Sequence, residues 1–140
     1  MIDIDVRDLA GRYVAMWNEP DPEARRKAVR ELWAEGGAHI LQPPQEMREA
    51  AAGLGFASSA LEAHGHDAIE WRVARAYEEF VAPGEYTFRA RDAAVRLRDV
   101  VTFSWEMVTV GGGEAVGGGL EFLRLDEEGR IAADYQFPGA

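Results

Sequence analysis

The chain has 140 residues, a formal net charge of −10 and no cysteine. This length suits one domain with a substantial core, so we expect a single domain over residues 1–140. The acidic charge opposes binding to nucleic acid, whose phosphates require basic residues. The lack of cysteine excludes disulfides, thiolate metal sites and a cysteine nucleophile. The sequence contains neither a membrane-length apolar run nor a signal-peptide pattern, so we expect a cytoplasmic protein with no membrane partner.

Apolar periodicity predicts two helices near the N terminus. The first covers about residues 5–18, where apolar side chains recur at helical spacing: Val6, Leu9, Ala10, Tyr13, Val14 and Trp17. Asp21 and Pro22 suit the cap and first turn of a second helix. Its buried face would include Leu32 and Trp33, and Gly36-Gly37 would end it. A short strand is predicted over residues 38–41.

The middle of the chain is less regular. We predict a short helix over about residues 46–52, and then a loop in which Ser59-x-x-Glu62 is similar to a capping box. A third well-formed helix should cover about residues 67–81, because apolar residues from Ile69 to Phe80 share one face. Pro83-Gly84 would end it.

The remaining residues alternate between apolar and polar, which is typical of half-buried strands. The alternation is clearest over residues 86–90, 95–98 and 101–107. Gly111-Gly112-Gly113 and Asp126–Gly129 are predicted turns, and residues 130–137 form the predicted last strand. Helices followed by an antiparallel meander predict an α+β fold.

The first 44 residues resemble a known family. Residues 11–22, the helix ending at Leu32-Trp33, and residues 38–44 follow the order found in the SnoaL-like branch of the nuclear transport factor 2-like (NTF2-like) superfamily. The resemblance implies a cone-shaped, curved antiparallel sheet whose three helices enclose a pocket. It also implies a homodimer through an outer sheet face, which here would carry Thr102, Ser104, Phe122, Tyr135 and Phe137.

The strands resemble those of ketosteroid isomerases, a related branch. Residues 103–107 and 120–124 carry the resemblance, which implies that Phe103, Trp105 and Met107 line a cavity. It also implies that Glu121 and Tyr13 donate hydrogen bonds to a developing oxyanion. The same strand register places Asp134 and Gln136 inside. Trp17 and Gln42 complete the set of expected substrate contacts.

One position departs from the isomerase pattern. Ketosteroid isomerases carry their proton-abstracting aspartate before a proline after the first strand, and here Gln42 precedes Pro43. Because a carboxamide is not a useful base near neutral pH, that form of steroid isomerisation is disfavoured. Asp134 or Glu121 could serve instead, because an apolar cavity raises the pKa of a carboxyl group.

Two classes of function stay open. The first is a cofactor-independent enzyme that moves a proton on a small apolar organic molecule, by isomerisation, cyclisation or epoxide-opening hydrolysis. The second is a non-catalytic module that binds a ligand or partner on the same scaffold. Structural roles are the alternative for each candidate: Tyr13 in the core, Glu121 turned outward by a one-residue register shift, and Asp134 exposed on an edge strand.

The histidines and glycine runs do not form a recognised motif. His64 and His66 lack a third ligand at defined spacing, so we predict no metal site. His39, on the first strand, could face the cavity or the helices, and a core or surface role is predicted for it rather than that of a base. The glycines at 111–113 and 117–119 are predicted to form a turn and a bulge instead of a phosphate loop, and no cofactor is expected.

Overall fold

The computed structural model describes residues 3–56 and 59–139, which form helices packed on one sheet. The helices are α1 (Val6–Asn18), α2 (Pro22–Leu32), α3 (Gln45–Gly53) and α4 (His66–Ala76), and α4 continues as a π-helical turn over Tyr77–Val81. The strands are β1 (Trp33–Leu41), β2 (Leu61–His64), β3 (Tyr86–Ala90), β4 (Val95–Leu97), β5 (Val100–Thr109), β6 (Ala115–Leu125) and β7 (Ile131–Pro138). Among these described helices, none has the length and apolar character needed to cross a membrane.

The strands form a single sheet in the order β2-β1-β7-β6-β5-β3, and β4 also pairs with β5. The predicted α+β class is confirmed. The sheet is mixed rather than purely antiparallel, because the last strand returns beside the first and runs parallel to it. A parallel pair requires a long crossover, and residues 42–130 supply one.

Side-chain caps begin the first two helices. Asp5 Oδ1 accepts hydrogen bonds from the backbone N–H groups of Arg7 and Asp8, and Asp21 caps α2 ahead of Pro22. The apolar face of α1 then packs on the inner face of the sheet and buries Leu9 and Tyr13. These contacts hold the Tyr13 side chain against the sheet.

Two predictions about local structure are wrong. The second helix ends at Leu32, and Trp33, Gly36 and Gly37 belong to β1. A side chain at Gly37 would lie 2.7 Å from the Ile131 carbonyl oxygen, so this glycine permits β1 to approach β7.

Glu62 lies in β2, which was not predicted, instead of capping a helix. The short helix is confirmed as α3, although it buries no side chain and does not enclose the pocket.

The sheet faces are those expected from strand alternation together with the family resemblance. Phe103 pairs with Glu121, and Glu121 pairs with Gln136, so these three residues share the inner face. Asp134 precedes Gln136 by two residues on β7, and it pairs with both Leu123 and His39. The inner face therefore places acidic, amide and imidazole side chains side by side under α1.

Candidate functional site

A tyrosine and two carboxyl groups meet beneath α1, and we call Tyr13, Glu121 and Asp134 the Tyr13 cluster. The Tyr13 Oη lies 2.7 Å from Glu121 Oε1 and also hydrogen-bonds Asp134 Oδ2. Tyr13 is 1% exposed and both carboxyl residues are 0% exposed. Helix α1 and strands β6 and β7 each contribute one member, so the three residues predicted as catalytic do converge in space.

The Tyr13 cluster must hold one proton in addition to that of the phenol. A phenol has a single O–H, so it can donate to only one of its two carboxyl neighbours. The other contact needs a protonated carboxyl group that donates to Oη. At least one of Glu121 and Asp134 is therefore neutral when both hydrogen bonds are made.

Glu121 is the better candidate for the neutral carboxyl group. Burial raises the pKa of Glu121 well above its ordinary value, and the charge of Asp134 raises it further. Burial also raises the pKa of Asp134, and the neighbouring His39, Glu121 and Tyr13 oppose this effect. The pKa of Tyr13 is raised, first by burial and then by both carboxyl groups. The consistent assignment is that Glu121 donates to Tyr13, which in turn donates to Asp134.

Trp105 completes the hydrogen bonding of Glu121. Its indole Nε1–H donates to Glu121 Oε2 at 2.8 Å, which leaves Oε1 as the oxygen that carries the proton toward Tyr13. Asp134 Oδ1 is buried and has no hydrogen-bond partner among the described residues. Asp134 is thus the member with spare capacity to accept a proton.

A second polar chain runs beside the Tyr13 cluster through Arg72, His39 and Gln136. Arg72 Nη1 lies 2.9 Å from His39 Nδ1, and an arginine only donates, so Nδ1 must be the unprotonated nitrogen. His39 is therefore neutral, and its Nε2–H donates to Gln136 Oε1 at 2.6 Å. Burial lowers the pKa of His39, and the charge of Arg72 adds to this effect against an opposing contribution from Asp134. His39 Nε2 lies 3.8 Å from Asp134 Oδ2.

Both chains border one cavity of about 420 Å³. Its volume lies in the range of small-molecule sites, and its walls are largely apolar. The lining consists of Tyr13, Val14, Trp17, His39, Leu41, Arg72, Ala76, Phe80, Phe88, Trp105, Met107, Gly117, Gly118, Gln136, Pro138 and Gly139. Glu121 and Asp134 do not line the cavity, and both side chains are fully buried.

Five of the predicted site residues line the cavity: Tyr13, Trp17, Trp105, Met107 and Gln136. Phe103 does not, because the Tyr13 ring packs edge-on against it at 5.4 Å between centroids and keeps it in the core. Gln42 is also outside the lining. It follows the end of β1, and its backbone N–H donates to the Gln136 carbonyl oxygen at 2.9 Å.

Comparison with solved structures identifies the architecture. A candidate isomerase of the SnoaL-like family from Agrobacterium tumefaciens str. C58 matches with a TM-score of 0.75 and 27% identity, over 96% of this chain and 97% of that one. A SnoaL-like protein of unknown function from Burkholderia thailandensis E264 matches with a TM-score of 0.64 and 13% identity, over 99% and 100% of the chains. Our chain has the SnoaL-like, NTF2-like fold.

A further NTF2-like protein of unknown function, from Exiguobacterium sp. 255-15, has a TM-score of 0.61 and 15% identity, over 93% of this chain and 97% of that one. No protein-family model and no curated protein sequence matches the chain. The resemblance inferred from the sequence is confirmed at the level of the SnoaL-like fold, and the pocket belongs to that scaffold.

Sequence reasoning missed Arg72 in this SnoaL-like pocket and assigned no site role to His39, although it allowed that His39 could face the cavity. Arg72 follows Ile69 by three residues and precedes Ala76 by four, so its helical position on the apolar stripe of α4 was a usable signal. His39 faces the cavity because β1 pairs with β7, and strand pairing at that distance leaves no local sequence signal.

His39, Glu121 and Asp134 also place one potential metal-ligand atom each within 4.8 Å of one another. Their hydrogen bonds oppose that use. Metal binding requires a deprotonated ligand nitrogen, and His39 Nε2 carries its proton because Nδ1 accepts from Arg72. Both carboxyl oxygens of Glu121 already form hydrogen bonds, one with Tyr13 and one with Trp105. The donor set therefore fits proton exchange better than metal coordination.

Proposed function

We propose that this SnoaL-like protein binds a small apolar organic molecule in the cavity and catalyses cofactor-independent proton transfer on it, as an isomerase or cyclase. One observation carries the proposal: Tyr13 borders the cavity, and its hydroxyl is hydrogen-bonded to two fully buried carboxyl groups. The similar fold of a candidate SnoaL-like isomerase supports it.

Tyr13 is the proposed acid. A substrate carbonyl beside Tyr13 gains negative charge as an enolate forms, and the phenol proton can turn from Asp134 to that oxygen. Because Glu121 already donates a hydrogen bond to Oη, it can transfer its proton to Oη when Tyr13 transfers the phenol proton to the substrate oxygen. Donors placed where charge develops lower the barrier most in a dry site, and the Tyr13 cluster is buried.

Asp134 is the proposed base. When the Tyr13 proton turns to the substrate, Asp134 Oδ2 loses its donor and Oδ1 has none among the described residues. Burial already raises the pKa of Asp134, so its carboxylate becomes a stronger base at that moment. The proton leaves a substrate carbon for Asp134, and the electron pair moves to the oxygen that Tyr13 holds. Asp134 is fully buried and does not line the cavity, so this step requires a local movement that admits the substrate carbon to Asp134.

Deuterium exchange of a simple ketone tests this chemistry without knowledge of the natural substrate. We expect the protein to accelerate exchange of the α-protons of 2-tetralone in D₂O, followed by proton NMR. Saturation-transfer NMR on the same sample reports whether the ketone binds. Acceleration that is equal in wild type and Tyr13→Phe would overturn the assignment of Tyr13.

The non-catalytic binding module is the second candidate, and the complete burial of Glu121 and Asp134 favours it. A carboxyl group that stays behind the wall stabilises Tyr13 and does not reach a ligand. If 2-tetralone binds but its α-protons exchange no faster than in buffer, the result would favour the non-catalytic binding module.

We also propose that the protein is a homodimer. The predicted outer sheet face carries Phe122 and Phe137 packed edge-on at 5.8 Å, and Tyr135 beside them is 41% exposed. A two-fold contact would cover this apolar surface without forming an open filament.

A further inference from the structure

Arg72 brings a positive charge to an otherwise apolar cavity. The two N–H groups of its Nη1 are shared among three neutral acceptors: His39 Nδ1 at 2.9 Å, the His39 carbonyl oxygen at 3.3 Å and the Leu61 carbonyl oxygen at 3.1 Å. Within the described part of the chain, no carboxylate forms an ion pair with it inside 4.0 Å. Partial burial lowers the pKa of Arg72.

The chain has 25 acidic and 15 basic residues, so carboxylate partners for an arginine are plentiful. Arg30, on the neighbouring helix, pairs with both Asp67 and Glu70, and Arg89 pairs with Glu106 at 2.6 Å. Withdrawing a cation from water costs free energy unless an anion compensates it. The cavity lining contains no acidic side chain that could do so. A ligand can supply the missing charge.

The free part of the guanidinium indicates which anion fits. Nη1 makes all the hydrogen bonds of Arg72 to the described residues, and Nε and Nη2 make none. These two groups form one forked edge, which matches the two oxygens of a carboxylate. A phosphate carries up to two charges and needs more donors than a single arginine offers. The edge therefore suits a monoanion.

We propose that the ligand of this cavity is an apolar molecule bearing a carboxylate, which the Nε and Nη2 edge of Arg72 binds while the apolar body extends toward Tyr13. This inference deepens the proposed function, on which it rests for the presence of a ligand. It assigns Arg72 to substrate selection, separate from the proton transfer at Tyr13.

A matched pair of probes tests the proposal: 2-naphthoate and 2-naphthamide, which differ in charge and share one ring system. At neutral pH we expect calorimetry to give at least about tenfold tighter binding of the carboxylate, a difference worth about 1.4 kcal/mol. Arg72→Gln should abolish the preference, and Arg72→Lys should keep part of it, because lysine retains the charge without the fork.

Arg75→Gln is the control, because it removes an exposed arginine of the same helix and should leave the preference intact. Equal affinities of wild type for the two probes would overturn the proposal, even if Arg72→Gln fails to fold. So would a preference that survives in a folded Arg72→Gln variant. If the protein prefers the carboxylate probe but does not accelerate exchange of 2-tetralone, only the proposed enzymatic activity is refuted. If it accelerates exchange but shows no preference, only the proposed carboxylate group of the ligand is refuted.

Discussion

The indole of Trp105 lies against the Cα of Gly119, in space that any side chain at residue 119 would occupy. A Cβ there would lie 2.4 Å from Trp105 Cζ2 and 2.7 Å from Cε2. The same indole donates its Nε1–H to Glu121. The absence of a side chain at Gly119 therefore positions the donor that orients Glu121.

Gly119→Ala should displace Trp105 and weaken its hydrogen bond to Glu121. We expect a loss of about 1–3 kcal/mol in the free energy of unfolding, as for other overpacked sites, and slower 2-tetralone exchange. Gly117→Ala is the matched control on the same strand, because a Cβ there meets only the flexible end of Met107 at 3.9 Å. Equal effects of the two substitutions would show that Trp105 does not depend on Gly119.

Tyr13→Phe should remove the proton donor and leave the cavity nearly unchanged in shape. Loss of one oxyanion donor typically costs about 10²–10³ in rate, and we expect a decrease of that order in the exchange rate of 2-tetralone above background. Tyr135→Phe, on the outer sheet face, is the control and should keep full activity. A Tyr13→Phe variant with wild-type exchange would exclude the phenol from the reaction.

Glu121→Gln should preserve the folded structure if Glu121 is neutral. The amide N–H₂ can donate to Tyr13 while its carbonyl accepts from Trp105, which reproduces the bonds of a protonated carboxyl group. We expect the free energy of unfolding at pH 7 to be maintained or increased. A loss of several kcal/mol, measured by chemical denaturation, would show that the native structure needs an ionised Glu121.

The stability of the wild type should decrease as pH rises above about 4.5, the ordinary pKa of Glu121. A raised folded pKa means that the native state keeps a proton that the unfolded chain has lost, so the slope is negative. One such proton contributes about 1.4 kcal/mol per pH unit. His39 acts in the opposite direction below pH 6.5, because its folded pKa is lowered.

The difference between wild type and Glu121→Gln removes the contribution of His39 from that measurement. Chemical denaturation from pH 5 to pH 8 should therefore show wild type losing stability relative to the variant as pH rises. Parallel curves would mean that the pKa of Glu121 is the same in the folded and unfolded states.

We predict that the protein is a homodimer in solution. Light scattering at micromolar concentration should give about twice the chain mass of 15.5 kDa. Tyr135→Lys should shift the protein toward monomer by placing a charge in the outer sheet face. Trp71→Lys is the control, since Trp71 is 68% exposed on α4, away from that face. A wild-type monomer would contradict the proposed dimer.

Local patterns determined most of the helices and strands, and they separated the two faces of the sheet. The helical spacing of Leu9, Tyr13 and Trp17 predicted α1 and its buried side. Strand alternation separated the two sheet faces, and the resemblance to ketosteroid isomerases indicated that Glu121 and Asp134 lie on the inner one. These predictions succeeded because helix and strand periods depend on near neighbours in the chain, and one buried sheet face strongly constrains register.

Only the tertiary structure decided which of the inward residues reach the cavity. His39 joins the site through the parallel pairing of β1 with β7, and Arg72 reaches it across the packing of α4 on β1. Phe103 was excluded when the Tyr13 ring packed against it. Such contacts depend on how elements far apart in sequence meet, and on side-chain shape at the contact, so no local pattern encodes them. The proton shared within the Tyr13 cluster follows from the same convergence, because it requires two carboxyl groups on different strands to face one hydroxyl in a space closed to water.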